Sequence, residues 1–200
     1  MKLVLATHNR DKVSELKAVL KSEQISILTC DDFPAMPEII EDGDTLEENA
    51  LKKARGIHQY TKLPVLADDT GLEVPALKGA PGVMSSRYAG DQASYADNVA
   101  KLLKEMAHIP MEQREARFRT VMVYLDDRNK IITEGDVSGQ ILEDVRGRGG
   151  FGYDPVFYYP PFNKTFSEMT LSEKNRISHR GQALLKMIKA LRENHILKEV

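Results

Sequence analysis

The sequence predicts an α/β fold, with a long, partly antiparallel mixed sheet and helices packed around it. Two observations favour this class. Short apolar runs alternate with helical periodicities through the first half of the chain, which favours strands and helices in alternation. The middle of the chain then changes to the two-residue period of paired strands. With 200 residues, the chain suits one large domain or two tightly joined lobes, and we expect a single domain over residues 1–200.

Two strands and two helices are predicted in the first half of the chain. The run Leu3–Ala6 is typical of a buried strand, and the helix after it has Asn9 as its N-cap. The second helix begins with a capping box at Thr45–Glu48. The run Val65–Asp69 predicts the second strand, which we expect to break at Gly71. The apolar helix faces consist of Val13, Leu16, Val19 and Leu20 in the first helix, and of Leu46, Ala50, Ala54 and Ile57 in the second.

The second half is predicted to contain a helix, an antiparallel meander and a final helical region. The segment Ser94–Asp97 begins the helix. The segment Arg117–Leu125 alternates in polarity, and after a turn the segment Lys130–Thr133 pairs back with it. Further strands are predicted at Val137–Ile141 and Asp154–Tyr158, and the final helical region begins at Thr170–Glu173 and has the core face Ala183, Leu184, Met187, Ile188 and Leu191.

Composition and charge exclude several classes of protein. A net charge of −2 argues against a general nucleic-acid binder, which carries a basic excess. Cys30 is the only cysteine, so neither an intrachain disulfide nor a cysteine metal cluster can form, as is usual in a reducing compartment. The apolar run near residue 3 is too short for a signal peptide or a membrane span. We therefore expect a cytoplasmic protein that binds neither a nucleic acid polymer nor a membrane.

The second predicted strand is the segment most informative about function. It delivers two adjacent acids, Asp68 and Asp69, and carboxylates at the end of a buried strand are costly unless something pairs with them. Mg²⁺ does so well, because it prefers oxygen ligands. The alternative is a strand that ends in an ordinary turn. A second acidic segment, Glu38–Asp44, would add Glu41 as a metal ligand if it folds against Asp69; otherwise it is a surface loop.

The loop between the first strand and the first helix is a candidate phosphate-binding segment. A helix N-terminus offers free N–H groups and the positive end of a dipole, and Arg10 and Lys12 add positive charge. The loop has neither a Walker A nor a Gly-x-Gly-x-x-Gly pattern. An ordinary loop with solvated charges is therefore the alternative.

The glycine-rich segment Gly149–Pro155 is a candidate platform for a flat ring. Glycines on both sides of Phe151 let the backbone approach a ligand closely, and an aromatic ring stacks well on a nucleobase. The alternative is a glycine loop in which Phe151 fills the core.

The segment Ser172–Gly181 contains three side-chain donors, Lys174, His179 and Arg180. On one continuous helix Lys174 and His179 would not share a face. A helix break at Ser178 would let them converge. The alternative is a solvated helix face, the usual location of a run of charges.

Metal ligands, a phosphate-binding loop, a ring platform and polar donors together describe a nucleoside triphosphate site. The set resembles the inosine triphosphate pyrophosphatase family, and its motifs keep their order over nearly the whole chain. One variation is Thr70, where serine is common in bacterial members, and it keeps the hydroxyl. The motifs are Thr7-His8-Asn9 with Lys12, Glu48-Asn49-Ala50, Ala67–Leu72, Pro81-Gly82 with Ser86-Arg87-Tyr88, Phe151–Pro155, and Ser172–Asn175 with Ser178-His179-Arg180.

The resemblance implies a two-lobed enzyme with its active-site cleft between the lobes, and a homodimer. It also implies Mg²⁺-dependent hydrolysis of the small molecules ITP, dITP and XTP to the nucleoside monophosphate and pyrophosphate, which would remove these nucleotides from the cellular pool. By the same resemblance, Asp69 is a metal ligand and the base for water, Glu41 is a second metal ligand, and Asp68 supports the metal site. Whether Glu41 or Asp68 is the second ligand stays open from the sequence. The substrate-binding residues implied are Thr7, His8, Asn9, Arg10, Asp11 and Lys12 for the triphosphate, Thr70 for a further contact, and Phe151, Gly152, Tyr153, Asp154, Lys174, His179 and Arg180 for the purine.

Donor side chains in the purine site would select the base. Hypoxanthine and xanthine carry a 6-oxo acceptor, whereas adenine carries a 6-amino donor that would oppose another donor. Guanine shares the 6-oxo group, and the sequence does not indicate what rejects its 2-amino group. Two other hypotheses remain open: a pyrophosphatase for another modified nucleotide, and a nucleotide-binding regulatory module without turnover.

Overall fold

The computed structural model describes residues 1–21, 23 and 25–198. None of the helices in this part of the chain is long and apolar enough to cross a membrane. The strands and helices are β1 (Lys2–Leu5), α1 (Arg10–Leu20), β2 (Ser26–Thr29), α2 (Leu46–Thr61), β3 (Val65–Glu73), β4 (Pro81–Gly82), α3 (Tyr95–Glu105), β5 (Glu115–Leu125), β6 (Lys130–Ile141), β7 (Phe157–Tyr159), β8 (Lys164–Thr165), α4 (Leu171–Ile177) and α5 (His179–Glu193).

The strands of the described residues form one mixed sheet. Its order is β2-β1-β3-β5-β6-β7-β8, with β4 paired to β3. The strand β1 pairs in parallel with both β2 and β3, whereas β7 pairs antiparallel with β6 and β8. The predicted α/β class with a partly antiparallel sheet is therefore confirmed.

The chain divides into two compact units, each built from separate segments. The first unit consists of Met1–Asp69, Thr120–Gly135 and His179–Val200, and the second of Thr70–Arg119 and Asp136–Ser178. The first unit has two buried apolar clusters, and the second has its own. The predicted apolar face of α5, from Ala183 to Leu191, packs in the first unit with residues of β1 and α1.

The predicted break at Gly71 is wrong. Strand β3 continues to Glu73, because Leu72 and Glu73 pair with Gly82 and Pro81 of β4. The backbone N–H of Leu72 also donates to Ser85 Oγ at 2.8 Å. Asp68 and Asp69 therefore lie inside a strand and not at its end.

Three further details differ from the predictions. The two strands predicted between Lys130 and Ile141 are one continuous strand, β6. Strand β7 begins at Phe157 and not at Asp154, because the carboxylate of Asp154 closes a turn with Phe151 N–H and the N–H of Val156 donates to Tyr153 O. The short strands β2, β4 and β8 were not predicted.

The predicted helix starts are confirmed. The side chain of Asn9 caps α1, and capping boxes begin α2, α3 and α4 at Thr45, Ser94 and Thr170. The predicted break at Ser178 is also present, since this residue has extended backbone between α4 and α5. Local capping chemistry thus sets the helix boundaries that position the charged residues.

Candidate active site

Seven charged side chains come together in the first unit. They are carried by α1, α2, β3, the first turn of α5 and the segment before α2. Glu15, Lys53, Asp68 and Arg180 are buried and the other three are partly exposed, and buried charges are costly unless they pair. We call this set the charged cluster, and it consists of Lys12, Glu15, Glu41, Lys53, Asp68, Asp69 and Arg180.

Helix α1 contributes Lys12 and Glu15, which lie on one face because residues three apart in a helix are neighbours. Lys12 Nζ lies 3.1 Å from Asp68 Oδ2. Glu15 is buried and accepts a hydrogen bond from the guanidinium of Arg180. The two side chains thus connect α1 to β3 and α5 within the first unit.

The first turn of α5 lies very close to β6. A Cβ at Gly135 would lie 2.1 Å from the carbonyl oxygen of His179 and 2.6 Å from the backbone nitrogen of Ala183, so this approach requires glycine. Arg180 follows in the same turn and is 3% exposed. Its Nε donates to Asp68 Oδ2 at 3.2 Å. The glycine in β6 therefore permits the placement of Arg180.

Asp68 and Asp69 are adjacent on β3, but their surroundings move their pKa values in opposite directions. Burial raises the pKa of Asp69, and the opposing charges of Lys53 and Lys12 do not cancel the effect. Burial also acts on Asp68, but the charges of Lys12, Arg180 and Lys53 outweigh it and hold the pKa of that carboxyl well below its usual range. Neighbouring carboxylates with separated pKa values are a recurrent feature of catalytic sites.

Lys53 connects the acidic segment before α2 to β3. Its Nζ lies 2.7 Å from Glu41 Oε2. Burial lowers the pKa of Lys53, but the charges of Glu41, Asp69 and Asp68 outweigh burial and raise it, so Lys53 stays cationic. Glu41 contributes to the raised pKa of Asp69, so the two carboxylates interact. The structure thus places Glu41 near Asp69, and their sharing of a metal ion stays a prediction.

A Mg²⁺ ion fits the donor set of Asp69 and Glu41. Carboxylate oxygens are hard ligands, and Mg²⁺ is commonly held by one or two carboxylates together with substrate phosphates and water. Within residues 1–21, 23 and 25–198, no group of three or more His, Cys, Asp or Glu side chains could hold a metal ion, so a site here would need oxygens from the substrate. Asp68 suits this role less, because its Oδ2 faces both Lys12 and Arg180.

The predicted phosphate-binding loop is held by its own side chains. Asn9 Oδ1 accepts hydrogen bonds from the backbone N–H groups of Asp11 and Lys12 at 3.0 and 3.2 Å, and Thr7 Oγ1 accepts one from the N–H of Asn9. Two N–H groups that a phosphate would use at this helix end are therefore donated to the cap. Lys12 is only partly exposed, whereas His8, Arg10 and Asp11 are exposed, and the contact of this loop with a phosphate stays a prediction.

A second group of candidate residues lies in the second unit, around the carboxylate of Asp154. Its Oδ2 accepts a hydrogen bond from the N–H of Phe151 at 2.8 Å and another from Lys174 Nζ at 2.5 Å. The side chains of Asp154 and Lys174 are 4% and 5% exposed. Lys174 Nζ also lies 4.6 Å from the centroid of the Phe151 ring, which is a cation–π contact.

We call residues 147–154 the glycine loop, and its conformation depends on Gly150. This residue has φ +71°, and a Cβ there would lie 2.2 Å from Asp154 Oδ2. Phe151 is half-buried and packs on Tyr95 of α3, with ring centroids 5.9 Å apart. Tyr153, and not Phe151, belongs to the apolar core. The ring of Phe151 therefore keeps accessible surface for a ligand.

We expect the variant Lys174→Met to lower the free energy of unfolding by about 3 kcal/mol, because it leaves the buried carboxylate of Asp154 without its cation. The measurement is urea unfolding followed by circular dichroism. The matched control is Lys189→Met, whose side chain is 78% exposed beside Glu193 and whose change should stay within about 0.5 kcal/mol. Equal losses in the two variants would contradict the structural role of the Lys174–Asp154 pair.

The three predicted donors are distributed over the two units. Lys174 contacts Asp154 and Phe151 in the second unit, whereas Arg180 contacts Asp68 and Glu15 in the first. His179 is buried in the first turn of α5. Their convergence on one purine stays a prediction.

Sequence reasoning missed Lys53 and Glu15. The signal for Lys53 was present, because it occupies a position of the apolar stripe of α2 that begins at Leu46, where a lysine is unusual. Glu15 likewise directly precedes Leu16 on the buried side of α1. A charged residue inside a predicted core face was thus the available indication of a functional cluster.

Together, the fold and the charged cluster define the class of this protein. It is an α/β protein in which two adjacent carboxylates, shielded from solvent, face cationic side chains. The model of the Ham1 family matches residues 3–190, and the chain belongs to this family. The membership predicted from the sequence motifs is therefore confirmed.

Individual relatives are similar over their full length. The chain is 47% identical to the dITP/XTP pyrophosphatase of Desulforamulus reducens, with 100% of both chains covered. It is 45% identical to the dITP/XTP pyrophosphatase of a Thermoanaerobacter strain, covering 100% of this chain and 98% of the relative. Among solved structures, a HAM1 protein from Coxiella burnetii has a TM-score of 0.87 and 41% identity, with 96% of this chain and 99% of that chain covered.

Proposed function

We propose that the chain is an enzyme that hydrolyses non-standard purine nucleoside triphosphates, namely ITP, dITP and XTP, to the nucleoside monophosphate and pyrophosphate. The observation that carries the proposal is the pair of adjacent carboxylates on β3, Asp68 and Asp69, placed among the cations Lys12, Lys53 and Arg180. The names of the relatives, dITP/XTP pyrophosphatase, support the choice of substrate.

In this proposal Asp69 is the catalytic base. Its carboxylate takes a proton from the attacking water, whose oxygen forms a bond to the α-phosphorus while the bond to the bridging oxygen of pyrophosphate breaks. Asp69 and Glu41 would hold Mg²⁺, which when bound neutralises phosphate charge. Asp68 is fixed by Lys12 and Arg180 and supports Asp69 from the next position of the strand.

Lys12 and Lys53 are proposed to contact the triphosphate. Both lie in the charged cluster, and burial largely excludes solvent from each side chain. Their charges therefore act in a medium of low dielectric constant. They would stabilise the negative charge that develops on the leaving pyrophosphate. The remaining loop residues from Thr7 to Asp11, together with Thr70, are assigned to orientation of the substrate.

The purine is assigned to the glycine loop, with Phe151 as the stacking surface, and to the donors Lys174, His179 and Arg180. Gly152, Tyr153 and Asp154 shape that loop. Donors that face a 6-oxo group favour hypoxanthine and xanthine over adenine, because a 6-amino group would leave a buried donor unsatisfied.

Pyrophosphate release from dITP, with and without Mg²⁺, tests the proposal. We expect release only with a divalent ion, and much faster from ITP, dITP and XTP than from ATP or GTP. Binding without release would instead support a regulatory module. Faster release from a modified pyrimidine triphosphate in the same panel would support a pyrophosphatase for another nucleotide.

We expect Lys12→Ala to lower kcat/KM for both ITP and ATP by about 10²-fold and to leave their ratio unchanged, because the ammonium of Lys12 contacts phosphate and not the base. Steady-state kinetics on both substrates measures this. Lys17→Ala, an exposed lysine on the same helix, is the control. A large fall in the ratio of kcat/KM for ITP to that for ATP would instead indicate that the loop between β1 and α1 recognises the base.

We also propose a homodimer and a cytoplasmic location. The support for the location is the proposed substrate, since nucleoside triphosphates are made and used inside the cell. Sedimentation equilibrium over a range of protein concentrations tests the dimer, and a mass of one chain at every concentration would contradict it.

A further inference from the structure

The hydroxyl of Tyr153 forms a hydrogen bond to the backbone of its own chain. Tyr153 is 3% exposed, and its hydroxyl donates to the backbone carbonyl of Ser85 at 3.0 Å. Burial raises the pKa of this hydroxyl, so it stays protonated and remains a donor at neutral pH. The glycine loop is thereby attached to the segment between β4 and α3, residues 83–94.

The side chain of Ser85 continues the connection to β3. Its hydroxyl donates to the carbonyl of Gly82 at 2.6 Å and accepts from the N–H of Leu72 at 2.8 Å. Leu72 lies three residues after Asp69 on the same strand. Two consecutive hydrogen-bonded residues thus join the glycine loop to the second half of β3.

A separate set of contacts attaches the same segment to α3. Asn98, which is 2% exposed, donates through Nδ2 to the carbonyl of Ser86 at 3.1 Å and accepts through Oδ1 from the N–H of Ala89 at 2.7 Å. Tyr95, one turn earlier on α3, packs on Phe151. The glycine loop is therefore held at two points, Phe151 and Tyr153, by elements that share one hydrogen-bonded segment.

We propose that Tyr153 and Ser85 are positioning residues for base recognition, which fix the glycine loop to β3 without contacting the substrate. The inference rests on the proposed function, because it assigns the purine to Phe151. It also gives a role to Gly82 and Ser86, two motif residues that the assigned chemistry leaves unused, because their carbonyl oxygens accept hydrogen bonds from Ser85 and Asn98. A loop freed from Ser85 would still carry Phe151 and Asp154, but in a less defined position.

The variant Tyr153→Phe tests this directly, because it removes one hydroxyl and keeps the ring in the core. We expect the ratio of kcat/KM for ITP to that for ATP to fall by about tenfold, the equivalent of one lost hydrogen bond. The loss should appear as a higher KM for ITP, with kcat changed by less than about threefold, because the base is held less well while the charged cluster is intact. The control Tyr158→Phe removes a hydroxyl bonded to Asn163 in the same unit and should leave the ratio unchanged.

A double-mutant cycle with Ser85→Ala separates positioning from substrate contact. If both residues act through one connection, the effect of the double variant on the ratio is smaller than the product of the single effects. Independent effects that multiply, or a Tyr153→Phe variant with lower thermal stability but an unchanged ratio, would overturn the proposal. Absence of ITP hydrolysis by the wild-type chain would instead overturn the proposed function, so the two failures are distinguishable.

Discussion

Asp69→Asn is expected to lower the rate of pyrophosphate release from ITP by about 10³-fold or more, because an amide neither accepts the proton of the attacking water nor supplies a charged metal ligand. The fold should survive. The pKa of Asp69 is raised by burial, which means that its ionised form is disfavoured in the folded chain. A neutral side chain of the same shape is therefore expected to leave the free energy of unfolding unchanged or to increase it.

The combination of lost activity with retained stability distinguishes a catalytic role from a structural one. Single-turnover kinetics and urea unfolding measure the two quantities. Asp127→Asn is the matched control, since this carboxylate is 86% exposed on the hairpin between β5 and β6 and neither quantity should change. Retention of more than a few per cent of the wild-type rate would remove Asp69 from the role of base and metal ligand.

Arg180→Met is expected to lower the free energy of unfolding by about 5 kcal/mol, because it leaves both Asp68 and Glu15 buried without this cation. Arg180 is 3% exposed and touches both carboxylates, so solvent cannot replace it. Lys189→Met on the same helix is the control. Its ion pair with Glu193 joins side chains that are 78% and 61% exposed, and we expect a change within about 0.5 kcal/mol.

The same cluster sets a pH dependence of stability. The pKa of Asp68 is held below its usual range, since the charges of Lys12, Arg180 and Lys53 outweigh burial. The ionised Asp68 therefore contributes to the free energy of unfolding above the unfolded pKa of about 3.9, and this contribution is lost as pH falls towards the lower folded value. The difference in the free energy of unfolding between wild type and Arg180→Met, measured by urea unfolding, should stay constant from pH 7 down to the unfolded pKa and should narrow only below it, towards about pH 2. A constant difference down to that pH, together with a loss below 1 kcal/mol at neutral pH, would contradict the role of Arg180.

Helix boundaries were predictable from sequence because they depend on local chemistry. Asn9, Thr45 and Ser94 cap their own helices through residues two or three positions away. The end of β3 was not predictable in the same way. The strand continues past Gly71 because of pairing with β4 and a hydrogen bond to Ser85, and such contacts over longer separations leave no periodic signal in the strand itself.

In the candidate site, too, the features that depend on local sequence were predictable and those that depend on long-range contacts were not. Motifs identified the carboxylates of β3 and the Phe151 segment, because those residue types are unusual in their local pattern. The partners of these residues were harder to predict. Arg180 meets Asp68 across 112 positions of sequence, and Glu15 across 165. Lys53 was missed because its charge lies within an apolar stripe, where only the folded chain shows Glu41 opposite it.

The division of the chain into interleaved segments has a consequence for synthesis on the ribosome. The second unit ends at Ser178, so its segments are complete before those of the first unit, although the first unit begins at Met1. The first unit must wait for α5, which supplies Ala183, Leu184 and Met187 to its core and Arg180 to Asp68. Until that helix is synthesised, the nascent chain contains Asp68 and Asp69 but not Arg180, which pairs with Asp68 in the folded chain. Arg180 is therefore the last residue of the charged cluster to be synthesised, and a chain that stops at Ser178 would lack it.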